Sequence, residues 1–308
     1  MAAKNVVITG ANSGIGYESA LHFAAKGDHV IMACRSLDKA EKAQQQILEK
    51  APAANITIIK LDVSNLESVA EFSRLFAEQV GSLDILINNA GIVAIPLSRN
   101  SAGHEMQLAT NYLGAFSLTG LLLPLFPADT PARIINVASL AHRFGKLNMD
   151  NFNWENNDYD QWKAYANSKV ATMSHTLELN RRLQESGRSN IIALGAHPGF
   201  ANTNIQSNNT NIQSNSPTLT KTTPISIWFQ KQTAKLIPTA ADAARPIILA
   251  AEGENSQGGD YYGPTGFLEI GGKPGKARLN PLAKDIVLGK ALWTKSESMT
   301  GTSYLSDV

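Results

Sequence analysis

Only one cysteine, Cys34, occurs in the 308 residues. A lone thiol excludes an internal disulfide and any metal site built from several cysteines. A small buried apolar residue is the plain reading of Cys34. The six histidines show no H-E-x-x-H or comparable ligand spacing, so no metal is expected. Excess charge is lacking too. The formal net charge is +1, with no block of like charges, which leaves no electrostatic footprint for nucleic acid or an anionic membrane. Long apolar runs are missing: "LTGLLLPLF" (118–126) contains Pro124 and falls far short of the ~18 residues of a membrane span. The opening "MAAKNVVITG" runs straight into a strand-like segment and leaves no room for a signal peptide. A cytoplasmic protein without a transmembrane span is the expectation, and the sequons at Asn55 and Asn208 then carry little weight.

What is present is an ordinary globular composition, 43% hydrophobic and 17% charged. Short apolar runs alternate with amphipathic stretches over the first two-thirds. Strand candidates are 5–9, 29–34, 56–61, 84–88, 133–138 and 190–196. Most are continuous rather than alternating runs, as suits strands buried on both faces of a parallel sheet. The clearest helix begins at Ser64, where "SNLE" reads as a capping box closed by Glu67. Leu66, Val69, Ala70, Ser73, Phe76, Ala77 and Val80 form its predicted stripe, and Gly81 ends it. Repeated strand–helix units imply right-handed crossovers and an α/β, doubly wound Rossmann fold. Its parallel sheet would have about seven strands, with helices on both faces. The whole chain, 1–308, reads as a single dinucleotide-binding unit.

Past residue 200 the pattern breaks. The stretch 202–224 is rich in Asn, Ser and Thr and holds "NIQSN" twice. Two copies do not make a solenoid. Residues 201–238 read as a surface loop or a substrate lid, with "PISIWF" (224–229) supplying apolar character. A helix follows at 239–252, then a glycine-punctuated segment at 258–272. The extension 273–308 is weakly patterned.

"TGANSGIG" (9–16) follows the first strand and opens a helix. Gly10, Gly14 and Gly16 let the backbone turn and approach a ligand, with Asn12, Ser13 and Ile15 between them. A helix start offers unpaired N–H groups and a positive dipole end to a pyrophosphate. At the end of the second strand, dinucleotide folds specific for NAD place an acidic residue. Here Arg35 and Ser36 stand instead. An arginine suits a 2′-phosphate, so NADP(H) is preferred over NAD(H). The competing reading makes Arg35 a solvated surface charge.

Tyr165 and Lys169 lie four apart in a predicted helix, 159–186, and so share one face. An ammonium beside a phenol favours the phenolate. Bringing a tyrosine from ~10 to ~7 takes about 4 kcal/mol of differential stabilisation. The plain alternative is an exposed Tyr/Lys pair. Trp162 reads as core, Trp154 and Trp228 are open, His197 reads as positional, and His142 lines either the cleft or a loop.

Seven ordered motifs carry a family resemblance: "TGANSGIG", "LDVS" (61–64), "NNAG" (88–91), "NYLG" (111–114), "NVASLA" (136–141), "YANSK" (165–169) and "HPGFANT" (197–203). Over roughly residues 5–200 the chain resembles the short-chain dehydrogenases/reductases. "VIMACRS" and "RIINVASLAHRFGK" are similar to the retinol-dehydrogenase-like branch. A looser resemblance reaches protochlorophyllide reductase and WW-domain oxidoreductases.

The resemblance implies a role for each matching residue. Asp62 and Val63 would border the adenine, and Asn89, Ala90 and Gly91 would lie near the cofactor ribose. Ser139 would bind a carbonyl oxygen, Tyr165 would be the acid/base and Lys169 its tuner. Asn111 would hold a water in the proton path. Pro198, Gly199 and Thr203 would meet the nicotinamide. The function implied is hydride transfer between NADP(H) and the carbonyl or alcohol carbon of an apolar small molecule. Retinoid-, steroid- or lipid-derived carbonyls are the candidates. The alternatives are a non-catalytic NADP(H)-binding redox sensor and, more remotely, a sugar-nucleotide epimerase. Family members commonly form dimers or tetramers, so a homo-oligomer is compatible with the pattern, as is a monomer.

Overall fold

The computed structural model describes residues 2–156, 158–199 and 238–306. Seven strands run parallel: β1 (Asn5–Thr9), β2 (His29–Cys34), β3 (Asn55–Lys60), β4 (Ile85–Asn88), β5 (Ala132–Val137), β6 (Ile191–Ala196) and β7 (Tyr261–Pro264). An eighth, β8 (Pro274–Lys276), returns antiparallel to β7. The described sheet therefore has eight strands in the order β3-β2-β1-β4-β5-β6-β7-β8: the seven parallel ones agree with the parallel sheet of about seven expected, and β8 adds an antiparallel edge. The extra strand is only three residues long and is held by its hairpin with β7, so it has no apolar run to announce it. The order reverses direction between β1 and β4. That crevice is where a doubly wound sheet binds ligands.

Helices α1 (Gly14–Lys26), α2 (Leu37–Lys50) and α3 (Leu66–Gln79) follow the first three strands. Next come α4 (Met106–Leu108), a π-turn at Ala109–Leu113, and α5 (Gly114–Leu122). The long α6 (Gln161–Glu185) precedes β6, and α7 (Ala240–Glu252) and α8 (Ile286–Thr300) close the chain. Alternate strand residues feed two cores. Val7, Ile31, Leu86 and Ile134 pack with Phe72 and Phe76 of α3, Phe116 of α5 and Trp293 of α8. Val6, Ile8, Val30, Met32 and Ile85 pack with Phe23 of α1, Ile47 of α2 and Ile247 of α7.

Several local expectations need correction. Asn65, not Ser64, caps α3, accepting from the N–H groups of Glu67 and Ser68. Ser64 instead turns back to the Asp62 carboxylate, its hydroxyl donating at 2.7 Å. Ala70 and Ala77 of the predicted stripe are exposed, and Phe72 is buried in their place. Trp162 is 58% exposed rather than core: in the first turn of α6 it lies on the solvent side, while Ala164 and Tyr165 turn inward. The tail is no loose extension: α8 packs on α5 and α6. The helical stretch Met106–Leu125 is long and apolar enough to cross a membrane, but 72% of its apolar window is buried inside this fold. The expected lid, 201–238, lies outside the described residues except for Pro238, as do Thr203, Trp228 and "PISIWF".

Candidate active site

The glycine turn is sterically determined. Gly10 has φ +67°, and its N–H donates to the Ala33 carbonyl at 2.8 Å. A Cβ on Gly16 would lie 2.3 Å from the Gly10 carbonyl oxygen, so α1 packs this closely only with glycine there. Ser13 caps α1 in an extended conformation without a side-chain bond. The first N–H groups of the helix therefore remain available to an anion. Thr9 ties the adjoining strand end in place: its hydroxyl accepts from the N–H groups of Asn89 and Ala90, each at 2.9 Å.

A cleft of about 350 Å³ opens at this crevice. Gly10, Asn12, Ser13, Gly14, Ile15, Gly16, Arg35, Ser36, Asp62, Val63, Asn89, Ala90 and Gly91 all line it. So do Ala33 and Leu61, which fall inside quoted motifs without having been assigned a role, and Lys39, Ile92 and Thr110, which the motifs did not include. Lys39 was detectable in principle, as a second cation one helical turn after Arg35. The Arg35 side chain is 78% exposed and lies 3.9 Å from the Asp62 carboxylate. The Ser36 hydroxyl caps α2, accepting from Lys39 N–H at 3.4 Å. Glycine-lined walls, free helix N–H groups and two rim cations fit an extended dinucleotide. A Cβ at Gly91 would come within 3.1 Å of Asn111 Oδ1 and 3.5 Å of Lys169 Nζ. The cradle thus reaches the Tyr165–Lys169 helix without a side chain in the way.

At the far end of the cleft three elements converge. Ser139, just past β5, caps the 3₁₀ turn Leu140–Phe144, its hydroxyl accepting from Ala141 N–H at 3.2 Å. On α6, Tyr165 is 9% exposed and Lys169 4%. The Lys169 ammonium lies 6.0 Å from the Tyr165 ring centre and donates to the Val137 carbonyl at 2.9 Å. Asn111 sits in the π-turn; such turns gather at functional sites. Its side-chain oxygen accepts from Ile92 N–H at 2.8 Å, while its amide donates to the Ile92 carbonyl and the Ser168 hydroxyl. Its main-chain carbonyl accepts from the Thr172 hydroxyl at 3.3 Å and keeps a second lone pair. Pro198 and Gly199 follow β6, away from the phosphate end of the cleft.

The electrostatics differ from the simple cation–phenol picture. Burial raises the Tyr165 pKa, and the nearby Ser139 hydroxyl draws it back down. Burial also lowers Lys169, to about 8. Without a ligand the lysine is thus a weakened cation and the phenol a weakened acid. The arrangement brings an acid, a hydroxyl and an ammonium to one edge of the dinucleotide cleft. His142 and His197, both fully buried, sit behind Ser139 rather than in the cleft, and sequence spacing gave no sign of their contacts.

Comparisons agree with this geometry. A family model described as short chain dehydrogenase matches residues 4–213. Retinol dehydrogenase 13 of Mus musculus is 36% identical over 298 residues, covering 97% of this chain and 84% of that protein. The human protein of the same name is 42% identical over 202 residues, covering 66% of this chain and 60% of its own length. Among solved structures, an uncharacterized protein from Mycobacterium paratuberculosis superposes with TM-score 0.78 at 35% identity, covering 98% of this chain and 95% of that one. The matched span contains both the glycine turn and the Ser139–Tyr165–Lys169 cluster, and the chain belongs to the short-chain dehydrogenase family, in its retinol-dehydrogenase-like branch, as an NAD(P)-dependent oxidoreductase acting on CH–OH and C=O groups.

Proposed function

We propose that the protein interconverts an apolar carbonyl compound and its alcohol, with NADP(H) preferred over NAD(H). The single observation that carries the reading is the convergence of Ser139, Tyr165 and Lys169 at the glycine-lined cleft. Bound there, the nicotinamide supplies or accepts the hydride. The Ser139 hydroxyl donates to the substrate oxygen as negative charge develops on it. Tyr165 delivers the proton to that oxygen, or removes it in the reverse direction. Lys169 poses the cofactor ribose and favours the phenolate through its charge. The Asn111 main-chain carbonyl orders the water that refills the proton.

Cofactor preference rests on the end of β2. No carboxylate stands at the ribose position there, and Arg35, Ser36 and Lys39 border the same corner of the cleft. Asp62, the acid nearest Arg35, is already engaged by the Ser64 N–H and hydroxyl. A distant fold relative from Shigella flexneri, 21% identical with TM-score 0.62, is described as complexed with NADP, which accords with the preference. The relatives named retinol dehydrogenase support a retinoid-like, steroid-like or lipid-derived substrate.

The test is NADPH depletion against a panel of aldehydes and ketones, repeated with Tyr165→Phe. Turnover with the wild type, lost by about a thousandfold or more in the variant, with NADPH affinity retained, is the expected result. NADPH binding without turnover on the panel would turn the reading toward a sensor.

A further inference from the structure

Two successive non-glycine residues adopt left-handed backbone, Leu268 with φ +52° and Glu269 with φ +60°. Such conformations persist only where surrounding contacts hold them. Leu268 supplies little of that hold, being 63% exposed. Glu269 supplies it instead. Its carboxylate accepts from His197 Nε2 at 3.0 Å and from Arg278 N–H at 3.2 Å, and it pairs with the Arg143 guanidinium. These partners come from the end of β6, the segment after β8, and the turn that follows Ser139.

His197 passes the contact onward. Its Nδ1 accepts from the Gly199 N–H at 3.2 Å, so its proton must sit on Nε2, facing Glu269. Burial lowers its pKa to about 4, which keeps the ring neutral. The ring fits only because residue 263 is glycine: a Cβ there would lie 1.9 Å from His197 Nε2. Gly199, with φ +75°, rests directly on the strained turn. A Cβ on it would meet the Ile270 carbonyl at 2.4 Å and the Glu269 carbonyl at 3.1 Å.

We propose that Glu269 is a positioning residue that locks the Gly199 turn to the Ser139 loop, through His197 on one side and Arg143 on the other. It touches neither substrate nor cofactor. It fixes the spacing between the turn that meets the nicotinamide end and the hydroxyl that meets the substrate oxygen. The proposal rests on the functional reading above for the roles of Gly199 and Ser139. Errors in such spacing are costly, because hydride transfer needs near-contact geometry.

Three variants test it, each read by NADPH fluorescence titration, by steady-state kinetics and by thermal melting. Glu269→Ala releases both loops; cofactor Kd and KM should rise and kcat should fall, each on the order of tenfold. Glu269→Gln keeps an acceptor for His197 Nε2–H and should return Kd to near the wild-type value. His197→Asn keeps an acceptor for Gly199 N–H but loses Glu269, and should weaken NADPH binding relative to Glu269→Gln. That comparison stands even where Glu269→Ala fails to fold. A lower melting temperature with unchanged Kd and kcat per folded molecule would assign Glu269 a purely structural role and overturn the proposal. Equal affinities of Glu269→Gln and His197→Asn would overturn it as well. Because the titration needs no turnover, a wild type that binds NADPH yet reduces no carbonyl defeats the functional reading alone. A wild type that binds no nicotinamide nucleotide defeats both.

Discussion

The ammonium of Lys169 donates to the carbonyl of Val137, two residues before Ser139, and among the described residues no carboxylate pairs with it. Burial without a counter-ion depresses the lysine from 10.5 to about 8. Between about pH 8 and 10.5 the unfolded chain therefore binds more protons than the folded one, and stability rises with pH. Below pH 8 both states are protonated and the cost of burying the ammonium is fully present, on the order of 3 kcal/mol. Urea unfolding of ligand-free protein at pH 7 and near pH 10 should show the wild type gaining stability relative to Lys169→Met. A flat difference across that window would mean that the ammonium is solvated.

Arg35 acts on a different part of the ligand. Its guanidinium is mostly exposed and only loosely paired with Asp62, so it is free to meet a ribose phosphate. Arg35→Ser should weaken NADPH binding on the order of tenfold while leaving NADH nearly unaffected. Added salt should weaken NADPH binding to the wild type more than to the variant. Isothermal titration with both nucleotides at two ionic strengths checks this; an equal loss for NADH would place Arg35 elsewhere than at the 2′ position.

The parts legible in the sequence are those fixed by local rules. β1 and β2 coincide with their apolar runs, and the other four long strands fall within a residue or so, because burial on both faces leaves a continuous signal. The glycine turn and the Tyr165–Lys169 spacing were likewise readable, since each depends on neighbours in sequence. What escaped depends on distant partners. Glu269 and His197 lie 72 residues apart and meet only because β6 and β7 pair. α8 hid because Ile286 and Val287, at its start, are exposed while the polar Ser296 is buried against Tyr112, which blurs the helical stripe. Trp162 misled in the opposite direction: its spacing aligned it with Ala166, Lys169 and Met173, yet it is exposed while Ala164 and Tyr165 beside it are buried.

Trp293 measures how far the tail belongs to the fold. It is 1% exposed, and its ring lies 5.2 Å from Phe116, 5.5 Å from His175 and 4.6 Å from Tyr304. The Arg182 guanidinium stacks 4.4 Å from it. Truncating a buried aromatic of this kind costs about 3–5 kcal/mol. Trp293→Ala should lose that amount in urea unfolding, and Trp293→Phe markedly less. A change under about 1 kcal/mol for the alanine variant would show that α8 is a detachable appendage.

Leu268 is held in a left-handed conformation, with φ +52° and ψ +18°. For a residue with a Cβ this costs roughly 1–2 kcal/mol relative to right-handed backbone, and glycine is spared it. The side chain is largely solvent-exposed, so its removal forfeits little burial. Against the gain stands the greater freedom of glycine in the unfolded chain, about 0.5–1 kcal/mol. The relief of strain exceeds that loss, and Leu268→Gly should stabilise the protein by up to about 1 kcal/mol. Urea denaturation with unchanged m-value is the measurement. A destabilised variant would show that the leucine side chain, rather than the turn beneath it, is what the fold depends on there.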